Sequence, residues 1–221
     1  MGYFVTGATG FIGGRLVPRL LERGGPIYCL VREGSQDKLE ARIRQWGTTR
    51  RRIKPIVGDL TEERLGLTKK AIRELKADVD HVYHLAAIYD LTASEEAQRE
   101  ANVEGTRHVV QFANELRSAT LHHVSSIAAA GLYDGTFTED MFEQAEAGLD
   151  QPYFGTKHES EGVVRTEATV PWRVYRPAIV VGDSRTGEID KIDGPYYFFK
   201  LLQRLRQTLP AWFPLIGLEG R

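Results

Sequence analysis

Short apolar runs alternate with longer amphipathic segments along most of this chain. Strands that alternate with helical patterns of this length are typical of βαβ units and a parallel sheet. The apolar runs predict six strands, at residues 3–5, 27–31, 53–57, 81–85, 121–124 and 172–175. Because crossovers between parallel strands are right-handed, we expect an α/β fold with a doubly wound parallel sheet of the Rossmann type.

Apolar residues spaced three and four apart predict the helices that connect these strands. The first helical face begins at Phe11 and ends before the pair Gly24-Gly25, which is a typical helix C-terminus. Further helices are predicted at 69–75, 94–116 and 153–167, and one more after Pro195.

The strand pattern stops after the sixth strand. We therefore expect the chain to be the N-terminal fragment of a longer protein, truncated before the end of its substrate-binding lobe. Within residues 1–221, we assign 1–190 to the Rossmann core and 191–221 to the start of the substrate-binding region.

Composition and charge argue against several classes of function. A net charge of −1 over 221 residues, with both signs interspersed, argues against nucleic-acid binding. The single Cys29 excludes an intramolecular disulfide and favours a reducing, cytoplasmic location. No apolar run is long enough for a membrane span, and the six histidines lack the spacing of a metal site, so the pair His122-His123 is expected to be structural. The aromatic run 196–199 is expected to cover the core or an acyl pocket, with membrane-surface contact as the weaker alternative.

A glycine-rich segment between the first strand and the first helix predicts a dinucleotide-binding turn. Glycines recur every third residue in Thr6-Gly-Ala-Thr-Gly-Phe-Ile-Gly13, and the amides that open the helix are expected to bind the pyrophosphate. The residues assigned to cofactor binding in this turn are Gly7, Thr9, Gly10, Phe11, Ile12 and Gly13.

The residue that follows the second strand indicates which dinucleotide is preferred. NAD sites place an acid there, whereas NADP sites supply an arginine for the 2′-phosphate. Arg32 occupies this place, and Arg42 on the following helix is a second, weaker candidate. NADPH is therefore the expected cofactor, while Glu33 leaves NADH open as an alternative.

Two more strand ends carry residues suited to the cofactor. After the third strand, Asp59 can hydrogen-bond the adenine amino group, with Leu60 beside it. After the fourth strand, the small residues Ala86 and Ala87 let the backbone approach the cofactor closely.

A proton donor and a cation are predicted on one helix face. In Tyr153-Phe-Gly-Thr-Lys157 the two polar residues are four apart, so both side chains can reach the same site. An ammonium about 4 Å from a phenol lowers its pKa, contributing roughly 4 kcal/mol at an effective dielectric near 20. Tyr153 can then protonate a carbonyl oxygen during hydride transfer, while Lys157 also holds the ribose. A serine doublet after the fifth strand, Ser125-Ser126, can polarise that carbonyl.

Together these segments resemble the extended short-chain dehydrogenase/reductase superfamily. Finer segments look like its thioester-reductase-like branch, in particular the N-terminal reductase domain of bacterial two-domain fatty acyl-CoA reductases. These segments are 102–106, 122–127, 175–177 and 181–188, which begin Asn-Val-Glu-Gly, His-His-Val-Ser, Tyr-Arg-Pro and Val-Gly-Asp-Ser.

The resemblance implies roles for further residues. Ser126, followed five residues later by Gly131, matches the family's catalytic serine, and Pro177, Ile179 and Val180 would lie near the nicotinamide. The implied activity is NADPH-dependent reduction of a fatty acyl thioester or aldehyde, with a second reductase domain elsewhere in the full-length chain. A homo-oligomer is left open.

Two other functions are compatible with the same fold. One is a nucleotide-sugar epimerase or dehydratase, since this fold hosts many chemistries. The other is a non-catalytic NADP(H) sensor, although such proteins often lack the tyrosine–lysine pair.

Overall fold

Six strands form one sheet in the computed structural model, which describes residues 1–87, 94–189 and 195–208, without the side chains of 195 and 197. The strands are β1 (Tyr3–Thr6), β2 (Ile27–Val31), β3 (Ile53–Val57), β4 (His81–His84), β5 (Thr120–Val124) and β6 (Trp172–Tyr175). Each lies within about two residues of its predicted position.

Helices separate the strands. They are α1 (Phe11–Arg23), α2 (Gln36–Gln45), α3 (Lys69–Asp78), α4 (Glu95–Arg99), α5 (Gly105–Leu116), α6 (Pro152–Glu167) and α7 (Pro195–Thr208). Short 3₁₀ turns cover Glu33–Ser35, Glu63–Gly66 and Ile127–Ala130.

The sheet is parallel throughout, in the order β3-β2-β1-β4-β5-β6. This order confirms the predicted doubly wound fold and reverses direction between β1 and β4, the usual place for a dinucleotide. Because all six strands run the same way, their carboxyl ends meet at one edge of the sheet.

Alternate strand residues supply two apolar cores, one on each side of the sheet. On one side Phe4, Val82 and Leu121 pack with residues of α3, α5 and α6. On the other side Tyr3, Val5 and Cys29 pack with residues of α1 and α2. Burial on both faces explains why the strands read as continuous apolar runs instead of alternating ones.

The helix predicted at 94–116 is continuous but not uniform. A π-turn at Glu100–Glu104 separates α4 from α5, and a turn of this kind places one extra residue in the helix. The Thr106 hydroxyl at the start of α5 donates to the carbonyl of Asn102, which lies in this turn, at 2.6 Å. Apolar periodicity does not reveal a one-residue insertion, so the prediction of a single regular helix was incomplete here.

The chain divides into two compact units, Met1–Ala178 and Ile179–Arg221. The division falls before residue 190, the boundary expected from sequence. The second unit contains α7, the helix predicted after Pro195, and the Gly182 amide donates to the Tyr196 hydroxyl at 2.7 Å. Residue 190, the last of the expected Rossmann core, and residues 191–194 and 209–221 of the expected substrate-binding region lie outside the described residues. No helix in the described part of the chain is long and apolar enough to cross a membrane.

Candidate active site

Most residues predicted to bind cofactor within the first unit follow the carboxyl ends of its strands, whereas Arg42 and Lys157 lie on α2 and α6. The glycine-rich turn follows β1, Arg32 follows β2, Asp59 follows β3 and Ala86 follows β4. Ser126 follows β5, and Pro177 follows β6. The parallel sheet therefore brings together, at one edge, residues that are far apart in sequence.

Two glycines of the turn are required by the backbone around them. Gly7 has φ +73°, and a β-carbon there would lie 2.7 Å from the Ala86 amide nitrogen. A β-carbon on Gly13 would lie 2.2 Å from the Gly7 carbonyl oxygen. A side chain at Gly7 would push the turn away from the segment after β4, and one at Gly13 would push α1 away from the turn.

The start of α1 fits a pyrophosphate. Its first residues have amides with no partner inside the helix, and Gly10 at the N-cap has no side chain to accept from them. The first turn of α1 carries no acidic residue that would repel an anion. Thr9, Phe11 and Ile12 are half-buried around this opening, and Gly10 is exposed.

A buried network fixes the segment after β4 against the turn. The Thr106 hydroxyl donates to the Asn102 carbonyl, so its oxygen accepts from Nε2 of His84 at 3.0 Å. Nδ1 of His84 then accepts from the Thr6 hydroxyl at 2.8 Å. The Thr6 oxygen in turn accepts from the Ala86 amide at 3.3 Å. These bonds define one neutral tautomer of His84 and lock Ala86 in place beside Gly7.

Burial keeps His84 neutral. It lowers the pKa of this imidazole to about 3, with a smaller contribution from the Lys157 charge. His123 on β5 lies beside His84, with ring centroids 5.3 Å apart, and burial lowers its pKa well below the ordinary value. Neither ring nitrogen of His123 has a hydrogen-bond partner among the described residues. The prediction that the histidine pair on β5 is structural agrees with this burial.

Both arginines proposed for the 2′-phosphate lie on the β2 side of the turn. Arg32 is exposed and precedes the 3₁₀ turn at Glu33–Ser35. The Arg42 guanidinium lies against α1, since its carbon is 3.5 Å from a β-carbon placed on Gly14. Arg42 therefore lies beside the first turn of α1.

The segment after β3 is held by its own turn and by α5. Oδ1 of Asp59 accepts from the amide and the hydroxyl of Thr61, each at 3.0 Å. The Leu60 carbonyl lies 2.7 Å from Nδ1 of His108. Asp59 and Leu60 are half-buried, so both remain within reach of a ligand at this edge.

Ser126 is held by backbone bonds on either side. The Ser125 amide donates to the Tyr175 carbonyl at 2.8 Å, and the Ile127 amide donates to the Pro177 carbonyl at 3.1 Å. Oγ of Ser126 accepts from the Ala128 amide at 3.1 Å, which leaves its hydroxyl hydrogen for another acceptor. Ser126 is half-buried and Ser125 is fully buried, which favours Ser126 as the serine that meets a substrate.

Lys157 reaches the same edge from α6. Its Nζ donates to the Val124 carbonyl, the last residue of β5, at 3.1 Å. Only 4% of Lys157 is exposed, and burial lowers its pKa to about 8, against which the Glu161 carboxylate acts. Tyr153 lies one turn earlier on the helix and is half-buried. The lysine is therefore mostly charged at neutral pH, close to the serine and one helical turn from the phenol.

Two residues that sequence reasoning did not assign complete the surroundings of α6. Glu161 is fully buried and accepts from Arg176 at 2.7 and 3.1 Å and from Arg165 at 2.8 Å. Glu161 extends the four-residue spacing of Tyr153 and Lys157, a signal that was visible in the sequence. Arg176 carries no such signal, because its partners lie on other elements.

Ile179 and Val180, expected near the nicotinamide, belong to the second unit and are exposed. Ala87 is exposed and Pro177 half-buried, both within the first unit. In the aromatic run, Phe198 and Phe199 are exposed, and the Tyr196 ring contacts Phe199 edge-on.

Comparison with protein families gives one match across nearly the whole chain. The family described as Male sterility protein, an NAD-binding family, matches residues 5–216. The chain is 33% identical over 205 residues to a linear gramicidin synthase of Brevibacillus parabrevis, covering 86% of this chain and 4% of that protein. It is 31% identical over 210 residues to the aldehyde reductase lnaA of Aspergillus flavus, covering 86% of this chain and 20% of the relative.

A solved structure also resembles the fold. The terminal R domain of the myxalamid PKS-NRPS pathway superposes with a TM-score of 0.73 at 32% identity, covering 84% of this chain and 50% of that one. The chain thus spans half of this structure and a small part of the curated relatives.

Proposed function

We propose that this chain, which belongs to the Male sterility protein family of NAD-binding domains, catalyses the NADPH-dependent reduction of a fatty acyl thioester or fatty aldehyde. Its placement in the thioester-reductase branch of the extended short-chain dehydrogenase/reductases follows from the same comparisons. The observation that carries the proposal is the buried Lys157, bonded to the end of β5 beside Ser126 and one turn from Tyr153.

The bound nicotinamide would supply the hydride that reduces the carbonyl carbon. The amides at the start of α1 would bind its pyrophosphate, with Ala86 after β4 and Pro177 after β6 at the same edge of the sheet. The Ser126 hydroxyl donates to the carbonyl oxygen and stabilises the charge that develops there. Tyr153 then gives its phenolic proton to that oxygen, and the Lys157 ammonium stabilises the phenolate left behind.

For a thioester, the first reduction yields a hemithioacetal, which collapses to an aldehyde and a free thiol. A second reduction of the aldehyde yields an alcohol by the same proton transfer from Tyr153. One site can therefore carry out both steps, provided that oxidised cofactor is replaced between them.

Apolar side chains beside the serine favour a fatty acyl group. Ile127 and Leu132 follow Ser126 in the chain and are 53% and 58% exposed. Tyr133 is also exposed, with its ring edge-on to Phe137 at 5.4 Å. Exposed apolar side chains next to a catalytic group are suited to an acyl chain. We assign residues 191–221 to the start of the substrate-binding region.

The relatives favour a second candidate for the thiol half of the substrate. A nonribosomal peptide synthetase and the terminal R domain of a PKS-NRPS pathway are among the proteins this chain resembles, so the acyl group can be presented by a carrier domain instead of coenzyme A. In either case we expect a second domain in the full-length protein, which we place in the cytoplasm. The mass of the full-length protein tests whether that domain is a reductase or a carrier. The size of the same protein in solution tests whether it forms a homo-oligomer.

The test uses the protein expressed from its full gene. NADPH oxidation is followed at 340 nm, roughly the absorbance maximum of the reduced nicotinamide, with a long-chain acyl-CoA, the matching acyl-pantetheine and the matching aldehyde. Tyr153→Phe is expected to lower kcat by at least about 100-fold because it removes the proton donor. The affinity for NADPH should stay within about threefold, since the pyrophosphate site lies on α1. A Tyr153→Phe rate within twofold of wild type contradicts the catalytic assignment.

Cofactor preference is tested separately by fluorescence titration with NADPH and NADH. Arg32→Ala and Arg42→Ala are each expected to weaken NADPH binding by about 10-fold and to leave NADH binding unchanged, since each removes a charged hydrogen bond to the 2′-phosphate. Tighter binding of NADH than NADPH by the wild type contradicts the role of both arginines.

Two alternatives predict other results in the same assays. A non-catalytic sensor would bind NADPH without oxidising it in the presence of any carbonyl substrate. An epimerase or dehydratase would convert nucleotide sugars without net consumption of NADPH. The exposed apolar residues beside Ser126 favour the reductase over both.

A further inference from the structure

Four side chains recur at four-residue intervals along α6. They are Tyr153, Lys157, Glu161 and Arg165, and this spacing places them along one face of the helix. The first two act in the proposed reaction. Glu161 is the third, and its carboxylate is fully buried, which requires compensation by charged or hydrogen-bonding partners.

Arg176 is the partner that reaches Glu161 from outside the helix. Its Nη2 and Nε donate to the two carboxylate oxygens at 2.7 and 3.1 Å, a two-pronged contact with fixed geometry. Arg165 donates to the same carboxylate at 2.8 Å from one turn further along α6. The Glu161–Arg176 pair therefore joins α6 to the segment that follows β6.

Arg176 also holds the long loop that precedes α6. Its Nη1 and Nη2 donate to the carbonyls of Thr138 and Met141 at 3.1 and 2.7 Å. Its guanidinium lies over the Phe137 ring, 5.0 Å from the centroid. The same loop is fixed to α6 by Phe142, whose ring stacks on His158 at 4.2 Å.

The backbone on both sides of Arg176 holds the catalytic serine. The Tyr175 carbonyl accepts from Ser125 and the Pro177 carbonyl accepts from Ile127, so the two bonds flank Ser126. One arginine thus connects three parts of the site: the serine segment, the helix of Tyr153 and Lys157, and the loop between them.

We propose that Glu161 and Arg176 are positioning residues that set the separation between Ser126 and the tyrosine–lysine pair. This proposal rests on the proposed function for its catalytic consequence. A displacement of about 1 Å between reacting groups can lower a rate by about 100-fold, so a pair that fixes the helix against the serine segment affects kcat without touching the substrate.

The pair has a second, electrostatic effect on the lysine. The Glu161 carboxylate raises the pKa of Lys157 against the burial that lowers it. The other titratable groups acting near Lys157 are His84 on β4 and His123 on β5, which burial keeps neutral. Arg165 and Arg176 hold the Glu161 carboxylate in its charged form. Loss of that charge is therefore expected to move the pKa of Lys157 further down.

Four variants of the full-length protein test the pair: Arg176→Met, Arg176→Lys, Glu161→Gln and the control Arg107→Met. Arg107 also joins another element to α6, through Glu167 at 3.0 Å, but it contacts neither the loop nor the serine segment. Its loss removes a more exposed ion pair from the same helix, since Arg107 and Glu167 are 31% and 37% exposed, against 13% and 0% for Arg176 and Glu161. For each variant we measure kcat, KM for aldehyde, the dissociation constant of NADPH, and the pH profile of kcat/KM.

Arg176→Met is expected to lower kcat by about 10- to 100-fold, with NADPH affinity within about threefold of wild type. Arg176→Lys should recover part of the loss, because an ammonium can pair with Glu161 but cannot also hold both loop carbonyls. Glu161→Gln should shift the alkaline limb of kcat/KM to lower pH, since activity needs Lys157 protonated. If Arg176→Met lowers kcat no more than Arg107→Met does, the positioning role is wrong. If the alkaline limb stays in place in Glu161→Gln, the electrostatic effect on Lys157 is wrong.

Hydrogen exchange separates this proposal from the proposed function. In Arg176→Met, amides of residues 125–127 and 131–151 should exchange faster than in Arg107→Met, whatever the substrate is. Unchanged exchange in both segments overturns the structural part of the proposal. If the wild type oxidises no NADPH with any thioester or aldehyde while the exchange result holds, the proposed function fails and the pair remains a structural connection.

Discussion

Two groups of buried polar side chains lie between the sheet and helices α5 and α6, and they satisfy burial in different ways. His84 and His123 are neutral, and His84 is held by the hydroxyls of Thr6 and Thr106. Lys157, Glu161 and Arg176 are charged and held by one another or by carbonyls. The neutral group contacts the cofactor turn, whereas the charged group surrounds the proposed catalytic residues.

The two groups lower the stability of the folded protein at different pH values. A buried imidazole resists protonation in the folded state. It therefore lowers the stability of the protein only when the pH falls and the unfolded chain takes up the proton. A buried ammonium lowers the stability of the protein at neutral pH, because it stays charged where water is excluded. The charged group therefore lowers stability at neutral pH, where its charges serve the proposed reaction.

The largest effect expected from this comparison is an acid-induced loss of stability. Burial lowers the pKa of His84 to about 3 and that of His123 well below the ordinary value, and it lowers the pKa of a third buried imidazole, His122 on β5, to about 4. Below the unfolded pKa of about 6.5 the unfolded chain binds more protons, so stability falls as the pH drops from there towards the folded values. Below that pH, each histidine lowers the free energy of unfolding by about 1.4 kcal/mol per pH unit, so the three together lower it by roughly 4 kcal/mol per pH unit.

Urea unfolding at pH 8, 7, 6 and 5 measures this slope. The free energy of unfolding should be nearly constant between pH 8 and 7 as far as these groups are concerned, and should fall steeply below 6. A flat profile between pH 7 and 5 would show that the three imidazoles are protonated in the folded protein or open to water.

The second effect is a division between activity and stability at Lys157. Lys157→Met is expected to lower kcat by about 100-fold, because the charge beside the phenol is lost. Its folded pKa of about 8 lies below the ordinary value, which corresponds to a cost of roughly 3 kcal/mol below pH 8. After loss of the hydrogen bond to Val124, worth about 1 kcal/mol, the variant should be more stable by about 1–2 kcal/mol.

The sign of that gain is checked by pH. The folded pKa is depressed, so the cost is fully present below pH 8 and disappears as the pH rises towards the unfolded value of about 10.4. The stability difference between Lys157→Met and wild type should therefore shrink from pH 7 to pH 10. An equal or lower stability of the variant at pH 7 contradicts the interpretation of the buried ammonium.

The third effect belongs to the neutral group alone. His84→Leu keeps a side chain of similar size but leaves the Thr6 and Thr106 hydroxyls without their imidazole partner, which should cost about 2–3 kcal/mol. Because the imidazole does not reach the substrate, kcat of the folded variant should stay within about fivefold of wild type.

Thr106→Val is the matched control for that substitution, and it should cost only about 1 kcal/mol because it removes one hydroxyl and its bonds. Thermal unfolding of both variants, together with kcat at a temperature where each is folded, decides the point. A 100-fold loss of kcat in folded His84→Leu would show that this histidine contributes to catalysis, as we propose for the charged group.

Local patterns predicted the fold and the proposed reacting residues. The glycine spacing, the apolar runs and the Tyr153–Lys157 pair are each contained in a few residues, so periodicity and turn chemistry predict them directly. The supporting contacts are not local: Thr6 and His84 are 78 residues apart, and Glu161 and Arg176 are 15 apart on different elements. Glu161 was accessible through its spacing from Lys157, whereas Arg176 became assignable only once β6 was placed beside β5.

The parallel sheet also separates the protein into a working edge and an edge without proposed function. Every strand delivers its proposed functional residues at its carboxyl end, so the connections that enter the amino ends carry none of them. Two such connections, at residues 49–51 and at Arg117-Ser118, are exposed. These are the places to attach a fluorophore, a surface tether or a fused partner, since a modification there is separated from the cofactor turn and from Tyr153 and Lys157 by the length of the strands.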